Sequence, residues 1–251
     1  MKTFTSIAEW QIFRAAMKAG PIGFVPTMGA LHEGHLSLVE ASRVDNIFTI
    51  VSVFVNPKQF DDAGDFEAYP ADYQEDLGRL EKAGVDAVLL PDAGQIYADD
   101  YRFKVTENEF SQQLCGAHRP GHFDGVLTVV MRLLNLVRPD NAYFGEKDYQ
   151  QLQLIRDMAA AFFMPVNIVA CATVREADGL AMSSRNQRLD KRQREKAATL
   201  YAALNQSSSA EQARDVLTRQ GFEVDYVEDI AGRRLVAARL GDTRLIDNVR
   251  I

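Results

Sequence analysis

Over about the first 180 residues the chain alternates short, almost uninterrupted apolar runs with amphipathic stretches, and this alternation limits the fold more than any other feature. The runs "IGFVPTM", "NIFTIVSVFV", "VDAVLLP" and "VNIVACATVRE" are rich in Val, Ile and Phe and lack the polar alternation of a strand with one wet face, while "NAYFGEKD" reads as a short strand and loop. Strands apolar on both sides need helices on both faces, the condition of a parallel sheet. The intervening stretches supply those helices. Ile7, Trp10, Phe13 and Met17 recur at helical spacing and stop at Gly20-Pro21. A second amphipathic stretch begins at Leu31, and "DYQEDLGRLEKAG" is a third, ended by Gly84. "GVLTVVMRLLNLVRP" reads as a long buried helix, and "DYQQLQLIRDMAAAFFM" as one stopped before Pro165. The fold class is therefore α/β, a doubly wound, Rossmann-like parallel sheet.

The character changes near residue 180. "DKRQREKAATLYAAL" predicts one helix and "NQSSSAEQARD" a polar linker into another, while "FEVDYVEDI" and "RLVAARLGDTRLIDNVRI" are strand-like with turn residues between. Residues 1–180 thus form the Rossmann-like domain and 181–251 a second, smaller α+β domain. A net charge of −7 provides no overall positive field for nucleic acid, so an anionic ligand must be held by local groups. Cys115 and Cys171 have neither metal-ligand nor redox spacing, which fits a reducing cytoplasm. No run of 18 apolar residues marks a membrane span, and the start "MKTFTSIAEWQIFRAA" has no apolar segment of signal length. A cytoplasmic location without a membrane partner follows as an expectation.

In open α/β sheets ligands sit beyond the carboxyl ends of the strands, where loops enter helices. "PTMGALHEGHLSLV" lies at such a place, with Gly29 free to adopt unusual backbone angles and Gly34 removing bulk between two histidines. If the helix begins near Leu31, His32 and His35 are three residues apart on one face, beside helix-start amides suited to a polyphosphate. The alternative is a capping histidine and a packed one. "FVNPKQF" ends an apolar run with Asn56 and Gln59, whose amides both donate and accept, as a ligand with hydroxyl and carboxylate groups requires. "FGEKDYQQLQLIRD" places Gly145 where backbone can approach a ligand, Lys147 as a point charge for phosphate, and Gln151 one helical turn on. Asp148 in this stretch could cap a helix, orient Lys147 or touch a metal. "ADGLAMSSRNQRL" gathers Ser183, Ser184 and Arg185, short donors and one fork able to wrap phosphates on a hinge. "LCGAHRPGHFDGVLTVV", with His118, Arg119 and His122, reads as scaffold with good turn chemistry.

In order and spacing, P-T-M-G-x-L-H-x-G-H, F-V-N-P-x-Q-F, R-P-x-H-F-x-G-V-x-T-V-V, F-G-E-K-D-x-Q-Q and M-S-S-R-N resemble the pantoate–beta-alanine ligase (pantothenate synthetase) family from about Pro26 to Leu189. "HEGH" is also similar to the H-I-G-H signature of the nucleotidyltransferase superfamily, and "MSSRN" stands where that superfamily has its mobile K-M-S-K-S loop. The resemblance implies ATP-dependent condensation of (R)-pantoate with β-alanine through a pantoyl adenylate, releasing AMP and pyrophosphate. It implies ATP contacts at Pro26, Thr27, Met28, Gly29, Ala30, Leu31, His32, Glu33, Gly34 and His35. Further ATP contacts would come from Gly145, Glu146, Lys147, Asp148, Val174, Met182, Ser183, Ser184 and Arg185. Gln59 and Gln151 would hold pantoate with Asn56 nearby; His35 would donate a proton, and His32, Lys147, Ser183, Ser184 and Arg185 would complete the catalytic set. Mg²⁺ would screen the β and γ phosphates, its protein ligands unassigned. The resemblance also implies a homodimer and a lid-like terminal domain. Lys58 stands where an apolar residue is usual, "YPADYQEDL" departs from the common Y-P-R-T pattern, and the terminal domain is short.

Two rivals share these motifs. A nucleotidyltransferase adenylylating a phosphorylated small molecule would favour cations where Gln59 and Gln151 stand. A non-catalytic nucleotide-binding regulator would bind ATP without turnover.

Overall fold

The computed structural model describes residues 1–17, 20–61, 63–67, 69–70 and 72–251. The helix expected over "SIAEWQIFRAAMKA" reaches Lys18 and Ala19, which lie outside the described residues, as does Ala71 of Y-P-A-D-Y. In chain order the elements begin β1 (Lys2–Phe4), α1 (Ile7–Ala16), β2 (Ile22–Thr27), α2 (Glu33–Asp45), β3 (Phe48–Val53), α3 (Ala63–Glu67), α4 (Tyr73–Lys82), β4 (Ala87–Leu89) and α5 (Ala93–Ile96). They continue with α6 (Cys115–His118), α7 (His122–Val137), β5 (Asn141–Gly145), α8 (Tyr149–Ala161), β6 (Asn167–Cys171), α9 (Lys191–Ala197), α10 (Thr199–Gln206) and α11 (Ala210–Arg219). Strands β7 (Glu223–Ile230), β8 (Arg233–Leu240) and β9 (Thr243–Arg250) end the chain.

Among the described residues β1 to β6 form one sheet in the order β1-β4-β3-β2-β5-β6, with every pairing parallel. This is the doubly wound sheet read from the apolar runs. The strand β1 carries no such run: "KTF" is too short to show a period, and its pairing with β4 and the Phe4–Trp10 ring contact at 5.4 Å place it. On one face Val25, Val51, Val88 and Tyr143 pack with Leu38 and Val39 of α2 and Leu80 of α4.

The chain order reverses direction between β2 and β5, the switch point where such sheets open a crevice. Here the opening is visible in the ladder. Strand β2 pairs with β3 from Ile22 through Thr27, whereas its pairing with β5 covers only Gly23–Asn141 and Phe24–Ala142. Thr27 O accepts from Phe54 N at 3.1 Å, so Thr27 faces β3 and the preceding Pro26 faces the β5 side. A proline, having no N–H to give, fits a central strand at the point where that ladder has ended.

The chain divides into two compact units, one of Met1–Leu31, His35–Gly145 and Gln150–Cys171, the other of His32–Gly34, Glu146–Tyr149 and Ala172–Ile251. The division falls at Cys171/Ala172 rather than near 180 because Leu180 and Leu189 pack into the second unit's core with Leu200, Leu204, Leu217 and Val236. In that unit β7, β8 and β9 form an antiparallel meander, backed by α10 and α11. The single helix expected over 190–204 is two, α9 and α10, meeting at Ala198. Thr199 Oγ1 donates to Lys196 O at 2.7 Å, the local side-chain bond that competes with a continuous ladder.

Helix α7 is buried along most of its length and is fitted to the turn after β3. A Cβ built on Gly125 would lie 2.1 Å from Lys58 O and 2.7 Å from Gln59 N, both backbone atoms that cannot swing away. Gly125→Ala is therefore expected to cost about 1–3 kcal/mol, the range for overpacking, by urea denaturation; an unchanged midpoint would show that the turn yields.

Candidate active site

The turn after β2 is built on strained backbone that a distant carboxylate holds. Gly29 has φ +84° and Ala30 φ +50°, the latter uncommon for a residue with a Cβ. Buried Asp76 on α4 accepts from Ala30 N at 2.9 Å and from Leu31 N at 2.8 Å, one amide on each oxygen. A Cβ on Gly29 would stand 2.7 Å from Asp76 Oδ2. The P-T-M-G-A-L turn thus needs glycine for both its angle and its clearance, and Asp76 repays the orphan amides ahead of α2. Burial raises the Asp76 carboxyl above its usual range and Glu75 adds to the rise, outweighing the two amide bonds and Arg79.

Helix α2 starts at Glu33, two residues later than the expected Leu31, so His32 and His35 do not share a helical face. His32 precedes the helix and its Nδ1 accepts from Gly34 N at 3.1 Å, the bond of a capping residue. A neutral ring used this way carries its proton on Nε2, which becomes the donor. A Cβ on Gly34 would lie 2.9 Å from the His32 ring and 3.7 Å from Met182 Cβ. The H-x-G-H glycine is explained by that packing. His35 lies in the first turn of α2, with Glu33 ahead of it.

Beyond β3, Asn56 caps the turn Pro57–Gln59 and is 1% exposed. Its Oδ1 accepts from Tyr97 OH at 2.6 Å and Lys58 N at 3.2 Å, and its Nδ2 donates to Gln59 Oε1 at 2.9 Å and Gly125 O at 3.2 Å. Lys58 N–H can only donate and Gly125 C=O can only accept, so the backbone fixes which way the Asn56 amide points. Gln59 must then turn Oε1 to Asn56, leaving Nε2 as its outward donor, 3.1 Å from Met28 Sδ. Burial pushes the Tyr97 phenol up, keeping it a donor. The Gln59 main-chain carbonyl is held by His122 Nδ1 at 2.7 Å and Arg119 Nη2 at 3.3 Å, and Arg119 pairs with Asp61 at 2.7 Å. The R-P-G-H stretch is scaffold, as its turn chemistry suggests, and what it supports is Gln59. Lys58, unusual in its motif, lies 5.1 Å from the Tyr101 ring centroid. Gln151 is half-buried on the first turn of α8, so Gln59 and Gln151 follow β3 and β5, the two strands that flank β2.

The second unit brings His32, Lys147 and the Ser183–Arg185 stretch into one body. Lys147 Nζ stands 3.8 Å from Asp148 Oδ2. The Glu146 carboxylate faces Arg233 at 2.8 Å and Arg250 at 3.4 Å, which neutralise the acid next to Lys147. Val174 O accepts from Met182 N at 3.0 Å, and Arg175 bridges to Ala181, so 174–182 is a small hairpin that delivers Ser183. Ser183 Oγ caps the turn Ser184–Arg188 by accepting from Arg185 N at 3.3 Å, and Ser184 is buried. Arg175 grips Asp247 through two bonds of 2.6 and 2.9 Å and reaches Gly179 O at 3.0 Å. Asp76, Tyr97, Arg175, Arg233, Asp247 and Asn248 escape motif reading because each acts through side-chain or backbone partners remote in sequence or outside the quoted motifs. Among the described residues no trio of His, Cys, Asp or Glu is placed to hold a metal ion.

Loops at a switch point, a histidine capping the start of a helix, and a lysine in the same compact unit as a Ser-Ser-Arg turn are the features of an α/β enzyme that handles a nucleoside triphosphate. The comparisons narrow this class. The pantoate–beta-alanine ligase family model matches residues 2–250. A pantothenate synthetase of Bdellovibrio bacteriovorus is 54% identical over 98% of both chains, and one of Legionella pneumophila is 49% identical over 99% of both. The crystal structure of a Francisella tularensis pantoate-beta-alanine ligase complexed with beta-gamma ATP and beta-alanine superposes with TM-score 0.96 at 38% identity, covering 100% of this chain and 97% of that one. A Thermus thermophilus pantothenate synthetase structure gives 0.92 at 42%, covering 100% and 99%. The chain belongs to the pantoate–beta-alanine ligase family, and it is an ATP-dependent carbon–nitrogen ligase.

Asp76→Asn tests the support of the strained turn. One amide loses its acceptor, and a stability loss of about 1–3 kcal/mol is expected. Because the folded state holds the Asp76 proton more tightly than the unfolded chain, its contribution to stability is full below the ordinary aspartate range and falls as pH rises to the raised value. Melting temperatures of both proteins across acid pH check this: the fall belonging to Asp76 should vanish in the variant, and parallel profiles would show that the carboxyl is not shifted.

Proposed function

We propose that the chain activates (R)-pantoate as a pantoyl adenylate and passes the acyl group to β-alanine, giving pantothenate, AMP and pyrophosphate. A pantoate carboxylate oxygen attacks the α-phosphorus, and the bond to the pyrophosphate oxygen breaks. The neutral amine of β-alanine then attacks the acyl carbon, the acyl C–O bond to AMP breaks, and the amine gives up a proton. The observation that carries the reading is the match of the pantoate–beta-alanine ligase family model over residues 2–250, beside the placement of His32, Lys147 and Ser183–Arg185 in the same compact unit. Donors held in place before reaction stabilise the charge that grows on the transferring phosphoryl group.

In this reading ATP meets Pro26–His35, Gly145–Asp148, Val174 and Met182–Arg185, with His32 offering Nε2–H and His35 serving as proton donor. Glu146 contributes through its backbone, since its carboxylate faces Arg233 and Arg250. Gln59 and Gln151 take pantoate; Gln59 presents Nε2 to a carboxylate or hydroxyl oxygen, while Asn56 acts by fixing that amide. Neutral donors suit a hydroxy acid better than the phosphorylated acceptor of a nucleotidyltransferase. Mg²⁺ suits the triphosphate, since it keeps several waters and sits on substrate phosphates more than in protein cages; Asp148 would be the protein's oxygen donor. When bound it screens the β and γ charges. Among the described residues no helix is long and apolar enough to cross a membrane. The enzyme acts on small molecules in the cytoplasm, as a homodimer.

Pyrophosphate release from purified protein with ATP and Mg²⁺ should require pantoate, and pantothenate should appear only when β-alanine is added. Release without pantoate would overturn the order of steps, and ATP binding without turnover would favour a regulator. Gln59→Ala should raise the KM for pantoate by about 10- to 100-fold, as loss of a hydrogen bond to a charged group implies. The KM for ATP should barely move; equal changes in both would remove Gln59 from the pantoate site.

A further inference from the structure

We infer that Asn248, near the end of β9, is a positioning residue for Lys147. Its Nδ2 donates to two successive carbonyls, Glu146 O at 2.8 Å and Lys147 O at 3.0 Å. Its Oδ1 accepts from Arg233 Nη1 at 2.6 Å. The carbonyls can only accept and the guanidinium can only donate, so the amide has one orientation, and it is buried. Arg233 closes the circuit through its 2.8 Å pair with the Glu146 carboxylate and its place 4.7 Å from the Tyr149 ring centroid. Main chain and side chain of the Glu146–Tyr149 segment are thus fastened to the terminal sheet.

The neighbouring Asp247 carries the same logic to the other phosphate-type stretch. Its buried carboxylate holds Arg175, and Arg175 pairs across the hairpin that leads to Ser183. Asp247 Oδ1 also accepts from Asn248 N at 2.7 Å. One dipeptide of β9 therefore sets the base of Lys147 and the base of the Ser-Ser-Arg turn together. The terminal sheet serves the reaction as a mount for the cation, beyond any part it plays as a lid. This rests on the proposal that Lys147 holds the triphosphate.

The test is a double-mutant cycle read by pantoate-dependent pyrophosphate release from the full chain, with Asn248→Asp, Lys147→Ala and the pair. Asn248→Asp sets an acceptor against two carbonyls and should lower kcat/KM for ATP on the order of a hundredfold, as a misplaced catalytic group does. Pantoate KM should stay within about threefold. Acting through Lys147, it should add almost nothing in the Lys147→Ala background. Losses that multiply, with Lys147→Ala itself impaired, would overturn the positioning role alone. Lys147→Ala at wild-type rate would overturn the role given to Lys147, and this inference with it. If Asn248→Asp fails to fold, Asn248→Ser, which keeps one donor, carries the same cycle: an intermediate loss absorbed by Lys147→Ala supports the inference, and an additive one refutes it.

Discussion

The parting of β2 from β5 is the constraint on which the rest depends. Ligands of open α/β sheets bind beyond the carboxyl ends of the strands at the switch point, and that is where β2 and β5 part. Here the ladder stops at Phe24–Ala142, and both loops leave strands that have already separated. Tight pairing of β2 with β3 through Thr27–Val53 keeps the other side of the opening rigid. Pro26 makes the arrangement one-directional, since a proline facing β5 cannot extend that ladder.

Once the loops are separated they need their own supports, and the chain solves this twice with a buried asparagine. Asn56 is clamped between Lys58 N–H and Gly125 C=O, and Asn248 between a guanidinium and the carbonyls of Glu146 and Lys147. In each case donor-only and acceptor-only partners leave the amide a single orientation, and the neighbouring segment inherits it. Rotating a buried, fully satisfied amide would strand several polar groups at once, at a cost of about 1–3 kcal/mol for each. Glutamine at Gln59 is adaptable by chemistry and made specific by its surroundings.

The apolar runs made the sheet and its helices legible, because burial on both faces leaves an uninterrupted signature. The loops were legible as motifs, and Gly29 and Gly34 meet the demands of angle and clearance that place glycine there. What the motifs could not convey was support. Asp76 lies 45 positions from Leu31 on a helix whose only visible signal is its own periodicity. Asn248 lies 101 positions from Lys147 in a strand where it looks like any polar residue. The start of α2 was misplaced because Ala30 adopts a left-handed angle that apolar spacing from Leu31 does not disclose, and His32 became a cap as a result.

An acidic chain that must hold a triphosphate also has to manage its own carboxylates, and the structure gives four of those near these motifs committed partners. Asp61 faces Arg119, Glu146 faces Arg233 and Arg250, Asp247 faces Arg175, and Asp76 takes the amides of Ala30 and Leu31. The net charge of −7 therefore says little about the potential at the loops. Attraction at a few ångströms is decided by which charges are already matched, because exposed charges farther away than about 8–10 Å are largely screened by salt. Arginines do most of this matching, and Lys147 is left to the role proposed for it, a division that follows from the two cations themselves: the planar fork suits a fixed carboxylate, and the compact ammonium on a flexible stem suits a phosphate that arrives and leaves.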